Sequence, residues 1–194
     1  MPDVFAIEPP RTALLVLDVQ NDIVANYVSD GGALLVRLER LIAAARRRGV
    51  AVIYVVVGFR PGYPEARGNP SYAPVRQMGH LLIGSPGCEV HPSVAPQGNE
   101  PTIVKHRVGA FAHTELDLIL RGNGWSTLIL TGITTSGVVL STLRHAYDHD
   151  YKSVVVSDGC CDRDPEVHRI LVERVFPRQA RVIGSDELLL AMGA

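Results

Sequence analysis

Three stretches of this 194-residue chain hold polar groups in positions where they could do chemistry. Asp18 closes the apolar run Ala13–Leu17. A carboxylate behind five consecutive apolar residues is partly withdrawn from water, and a buried carboxylate costs several kcal/mol unless it is paired. Lys105, near the end of the short run Thr102–His106, is the cation that a neighbouring strand could present to it. Such a pair suits general acid–base work, with the lysine tuning and orienting the carboxyl group. The same two residues would serve equally well as a bridge between strands, and their spacing does not separate the two roles. The third stretch, Thr131-Gly132-Ile133-Thr134-Thr135-Ser136-Gly137-Val138, is a glycine-containing turn. Leading into a helix, it would aim free backbone N–H groups at one point, which suits an oxyanion or an anionic ligand. Ser136 fits a helix cap there, and no G-x-S-x-G elbow accompanies it.

These groups need a scaffold that brings strand ends together. Thr12–Val19, Val50–Val57, Thr102–His106, Ser126–Thr131, Ser153–Ser157 and Ala180–Ile183 read as short, buried strands. Helical patterns lie between them. Leu34, Leu38, Leu41, Ile42 and Ala45 recur at helical spacing ahead of Arg46–Arg48 and Gly49. Thr114–Arg121 opens on a capping residue and stops at Gly122. Ser136–His149 carries a stripe of Val139, Leu143, Ala146 and Tyr147, and Asp164-Pro165-Glu166 opens a further helix. Strand and helix in alternation predict a three-layer α/β/α fold with a mostly parallel sheet of about six strands, in a single domain over residues 1–194. Residues 58–100, rich in proline and glycine, have little periodicity and are expected to form an irregular lid or pocket wall. Ligands of open parallel sheets bind outside the carboxyl ends of the strands, which is where Asp18, Lys105 and the turn after Thr131 fall.

Composition narrows the partners. Hydrophobic residues make up 46% and charged residues 20%, with a formal net charge of -1. A nearly neutral surface is poorly suited to nucleic acid or to an anionic membrane, which leaves small molecules as the expected ligands. No apolar run reaches the length of a membrane span, and the N-terminal MPDVFAIEPPRTALL lacks the pattern of a secretory leader. Three cysteines, two of them adjacent at Cys160 and Cys161, fit a reducing, cytoplasmic setting. Adjacent cysteines lack chelating spacing, and the histidines form no H-x-H or H-E-x-x-H pair. No metal and no cofactor is expected.

Taken together, ALLVLDVQND (Ala13–Asp22), VKHRVGAFAHTELDLILR (Val104–Arg121) and LILTGITTSGVVLSTLRHA (Leu128–Ala146) resemble the isochorismatase-like hydrolases, a family that includes cysteine hydrolases and nicotinamidases. The resemblance runs from about Arg11 to Ile183 and implies the fold already read from periodicity. It implies a catalytic Asp at Asp18 and a catalytic Lys at Lys105. It implies a cis peptide at Ile133–Thr134, with the backbone N–H groups of Thr134 and Val138 as an oxyanion hole. The family's usual nucleophilic cysteine falls on Val138, which cannot attack. The resemblance therefore points to noncovalent hydrolysis, as in relatives that act on isochorismate, where the Asp protonates a vinyl ether and water traps the cation. Arg60, just past the second strand, and Arg107 are candidates to hold an anionic substrate, with Phe111 and Val138 as an apolar floor. GFRPGYPE after Val57 has no Asp-x-His, so nicotinamidase-type metal binding is not implied. A homodimer or larger homo-oligomer is implied. Two alternatives stand beside this one: a catalytically silent binding or scaffolding member of the fold, and an amidase that recruits Cys160 or Ser136.

Overall fold

The computed structural model describes residues 6–28 and 31–193. Met1–Phe5, part of the segment read for a leader, lie outside the described residues. Six strands form one parallel sheet in the order β3-β2-β1-β4-β5-β6. They are β1 (Thr12–Leu17), β2 (Ala51–Val57), β3 (Thr102–Lys105), β4 (Thr127–Ile133), β5 (Lys152–Cys161) and β6 (Arg181–Ile183). The helices are α1 (Asn21–Tyr27), α2 (Gly31–Arg48), α3 (Ala73–Met78), α4 (Leu116–Gly122), α5 (Leu140–Asp148), α6 (Pro165–Ile170) and α7 (Ser185–Ala191).

The continuous apolar strands are continuous because both their faces are covered. Leu14 and Val16 of β1 join Val52, Tyr54 and Ile129 in one core, under Leu34, Leu38, Leu41 and Ile42 of α2 and Leu188 of α7. Ala13, Leu15 and Leu17 point the other way, with Ile53, Val55, Leu128 and Leu130, under Leu116 and Leu120 of α4 and Leu143 and Ala146 of α5. Side chains that alternate at period two therefore serve two cores at once. α2 ends as its sequence implies, with three arginines in the last turn and Gly49 at φ 72°. α6 begins on Asp164, whose carboxylate accepts the N–H groups of Glu166 and Val167 at 2.9 and 3.4 Å.

Some boundaries differ from the sequence expectation. β5 runs on to Cys161, because after an irregularity between Leu130 and Gly132 it pairs Cys160 and Cys161 with Gly132 and Ile133. α4 starts at Leu116, since the Thr114 hydroxyl donates to Ala110 O at 2.6 Å while accepting from Leu116 N–H at 3.3 Å. Tyr147 is half exposed, one residue and so about 100° beyond the buried Ala146 on α5. α1 and α3 carry no pattern strong enough to have been read as helices.

The chain enters the sheet centrally at β1, builds outward through β2 and β3, then crosses back to β4 and continues to β6. The topology reverses between β1 and β4, and a crevice opens outside their carboxyl ends. Gly132 makes that junction possible. It sits at φ 136° against Leu17, and a Cβ there would fall onto the Leu17 carbonyl. Gly132→Ala is therefore expected to destabilise the fold by at least about 2 kcal/mol. Urea unfolding should show a lower midpoint with an unchanged slope.

Candidate active site

Four strand ends converge on a cavity of about 230 Å³ at this reversal, lined among others by Asp18, Val57, Lys105, Ile133, Thr134 and Val138. Asp18 follows β1 with φ 55°, an unusual angle for a residue with a side chain, and its N–H is held by Val55 O at 2.8 Å. Lys105, the last residue of β3, reaches across the end of β2. Its Nζ lies 2.8 Å from Asp18 Oδ2 and donates to Arg107 O at 3.1 Å. The Asp18 and Lys105 side chains are only 7% and 2% exposed, so this pair is desolvated. Burial pushes the Asp18 carboxyl above the ordinary carboxylate range, and the Lys105 ammonium acts in the opposite direction with less effect. Asp18 Oδ1 is buried and has no hydrogen-bond partner among the described residues. A carboxyl group held at one oxygen, free at the other and inclined to keep a proton is equipped to be a general acid.

The opposite side of the cavity is the turn after β4. The Ile133–Thr134 peptide is cis, and Thr135–Val139 forms a π-helical turn before α5. The Thr134 hydroxyl accepts from Gly137 N–H at 3.2 Å. A side chain at Gly137 would come within 2.6 Å of that hydroxyl oxygen, so the position stays bare. Arg107 lines the cavity, oriented by bonds from its Nη1 to Glu65 O and His106 O at 3.0 and 2.6 Å. Among the described residues no carboxylate pairs with it. With Asp18 ionised, the lining carries one net positive charge.

The remaining wall comes from α1, which brings Ile23 and Tyr27, and from the proline-rich segment, which brings Phe59, Ser71, Tyr72, Val75 and Leu81. The residues right after Asp18 hold that segment in place. Gln20, fully buried, donates to Val57 O and Cys88 O at 2.9 and 2.7 Å and accepts from Val57 N–H at 2.8 Å. Asn21 donates to Pro86 O at 2.7 Å, and Asp22 accepts from Leu81 N–H at 3.1 Å.

Of the residues singled out in the sequence, Asp18, Lys105, Thr134, Val138 and Arg107 meet around the cavity; Arg60 and Phe111 do not. Arg60 is 65% exposed and turned toward Glu65, which satisfies its charge on the surface. Phe111 is buried in the second core, stacked on His145 at 4.7 Å, because the loop after β3 folds back over α5. No cysteine lines the cavity among the described residues. Cys88 lies behind Gln20, and Cys160 and Cys161 belong to β5. Ser136 is also outside the lining, its N–H donating to Asp162 Oδ2 at 2.7 Å. The aromatic wall of Tyr27, Phe59 and Tyr72 is what sequence reasoning missed. Only the four-residue spacing of Ile23 and Tyr27 offered a signal.

A desolvated Asp–Lys pair opens on a small cavity at the reversal of a parallel α/β sheet, the place where open sheets of this kind bind small ligands. The chain belongs to the isochorismatase family of hydrolases: the isochorismatase domain family matches residues 12–187. It is 31% identical to the ureidoacrylate amidohydrolase RutB of Methylobacterium radiotolerans, over 90% of this chain and 76% of that protein. It is 32% identical to the uncharacterised isochorismatase family protein YecD of Escherichia coli, over 93% of this chain and 96% of that one. The crystal structure of a cysteine hydrolase from Pseudomonas syringae superposes with a TM-score of 0.90 at 27% identity, covering 96% and 94% of the two chains. No helix among the described residues is long and apolar enough to cross a membrane.

Removing one member of the pair leaves the other buried and uncompensated. Asp18→Asn and Lys105→Met are each expected to lose about 3–5 kcal/mol of stability, and the double variant much less than the sum. Denaturant unfolding of the four proteins measures that coupling; additive losses would show that the two charges do not depend on each other.

Proposed function

We propose that this chain is a small-molecule hydrolase that works without a covalent intermediate, with Asp18 as its acid–base group. The observation that carries this is the buried Asp18–Lys105 pair, facing a cavity to which no described cysteine contributes. Lys105 holds Oδ2 and leaves Oδ1 to keep and hand over a proton. Arg107 offers an unpaired positive charge to a carboxylate on the substrate, and Val138, Phe59, Tyr72 and Leu81 supply apolar contact. The volume, about 230 Å³, is smaller than most drug-sized sites and suits a compact metabolite.

A vinyl ether is the substrate type that uses these parts most fully. Asp18 protonates the alkene carbon, the adjacent ether oxygen shares the resulting positive charge, and water adds to the cation. The hemiketal then collapses to a carbonyl compound and an alcohol, and the proton lost in these steps restores the Asp18 acid. The N–H groups of Thr134 and Val138, on the far side, would face an oxygen that gains negative charge in an amide substrate. The three free thiols suit a reducing, cytoplasmic setting, and the family likeness supports a homo-oligomer.

Turnover of a panel of vinyl ethers, amides and imides by wild type and Asp18→Asn tests the proposal. At least one vinyl ether should be hydrolysed, with a loss of about 10²- to 10⁴-fold in the variant. The rate should fall as pH rises through the elevated Asp18 pKa, because the acid form is the active one. Thiol alkylation should leave the rate unchanged: Cys160 is buried and Cys161, pushed up to about 11, holds little thiolate. Stoichiometric inactivation by the alkylating agent would instead favour an amidase with a thiol nucleophile. Absence of turnover across the panel would favour a binding protein.

A further inference from the structure

The loop between β5 and α6 grips both sides of the cavity without lining it. Asp162 Oδ2 accepts from Ser136 N–H at 2.7 Å. The Arg163 guanidinium lies 5.1 Å from the Tyr27 ring centroid and donates to Asn26 O at 3.4 Å, which ties the loop to α1. His168, on α6, places Nδ1 2.8 Å from Thr135 Oγ1. Thr135 is fully buried, and among the described residues its hydroxyl has no other hydrogen-bond partner. Thr135 and Ser136 lie between Thr134 and Val138, which line the cavity together with Gly137 and whose N–H groups the proposed function uses.

We propose that His168 is a positioning residue: as a neutral ring it accepts a hydrogen bond from the Thr135 hydroxyl and thereby fixes the cavity face of the turn Thr134–Val138. The function assigned to it rests on the cavity being the working site. In this assignment the hydroxyl is the donor, because among the described residues its proton has no other acceptor. With its proton on Nε2, the ring offers a lone pair at Nδ1 to Thr135 O–H. Protonation puts a hydrogen on Nδ1, and the Thr135 hydroxyl, buried in the turn, loses its acceptor. Burial lowers the His168 pKa, and Asp162, the charged group acting on it from the loop, raises it with less effect. Thr135 and Ser136 bring no charge from the turn. On α6 itself, Arg169 is occupied with Glu173 at 3.0 Å. The neutral form is therefore favoured in the fold, and the grip weakens as pH falls below 6.5, the ordinary histidine value, through the lowered one.

The test is a pH series of backbone amide and histidine-ring NMR spectra for wild type, His168→Asn and His168→Leu, recorded without substrate. In the wild type, the amide signals of Ser136, Gly137 and Val138 should move together with the His168 ring, with a midpoint below 6.5. The amide oxygen of Asn can accept from Thr135 but does not titrate, so His168→Asn should keep wild-type positions at every pH. His168→Leu should displace the same amides at every pH. On any substrate that the panel identifies, His168→Leu should lower kcat by about 10- to 100-fold with KM little changed, and His168→Asn should restore it. A His168 ring that titrates while these amides stay still would overturn the proposal. So would wild-type amide positions in His168→Leu, or Asn and Leu variants that shift them equally. The spectra need no turnover, so failure of the hydrolase assignment and failure of this one are read separately.

Discussion

One carboxylate and one ammonium, 2.8 Å apart and almost out of reach of water, set the terms for the rest of this molecule. Neither charge would be tolerated alone at that depth. Each therefore requires the other, and together they require that β1, β2 and β3 end at matching heights. The register provides it: Leu17 stands opposite Val55, and Val57 opposite Lys105. The left-handed turn at Asp18 then swings the carboxyl group over the end of β2 toward the lysine. The proline-rich segment covers the remaining approach. Without that cover, water would screen the pair and relax the carboxyl group toward an ordinary acidity.

Much of this was legible in the sequence, for physical reasons that differ from element to element. The strands could be read because a strand covered on both faces must be apolar throughout. Asp18 stood out because a carboxylate after five apolar residues needs a partner. Lys105 followed from the rule that parallel sheets work at their carboxyl ends. Arg60 and Phe111 show where that reasoning stops. Both lie on segments just beyond strand ends, but the direction of a side chain there depends on how a loop folds back, and no periodicity records it. Thr114 shows the same at smaller scale: its hydroxyl found a carbonyl four residues back and the helix began later. The aromatic wall was hidden because it joins Tyr27 of α1 to Phe59 and Tyr72 of a segment held by scattered hydrogen bonds, those to Gln20, Asn21 and Asp22 among them, rather than by a repeating pattern of its own.

Those three polar residues divide the labour of a single short peptide. Asp18 faces the cavity, while Gln20, Asn21 and Asp22 point away from the cavity and fasten Val57, Leu81, Pro86 and Cys88. The acid and the wall that keeps it dry are thus positioned by the same stretch of backbone. Any shift of that peptide moves the proton donor and its enclosure together, which preserves their relation more faithfully than two independent supports would.

The strand order has a further consequence. Residues before Arg107 build β1, β2 and β3, and residues after Trp125 build β4, β5 and β6; β1 and β4 are the one strand pair that joins the two sets. The Asp–Lys pair belongs wholly to the first set and the turn Thr134–Val138 wholly to the second. Neither set encloses the cavity alone: it comes into existence only where the two sets meet along β1 and β4. The cavity is thus an assembly product of two halves of one chain, much as a site at a subunit boundary is a product of two chains.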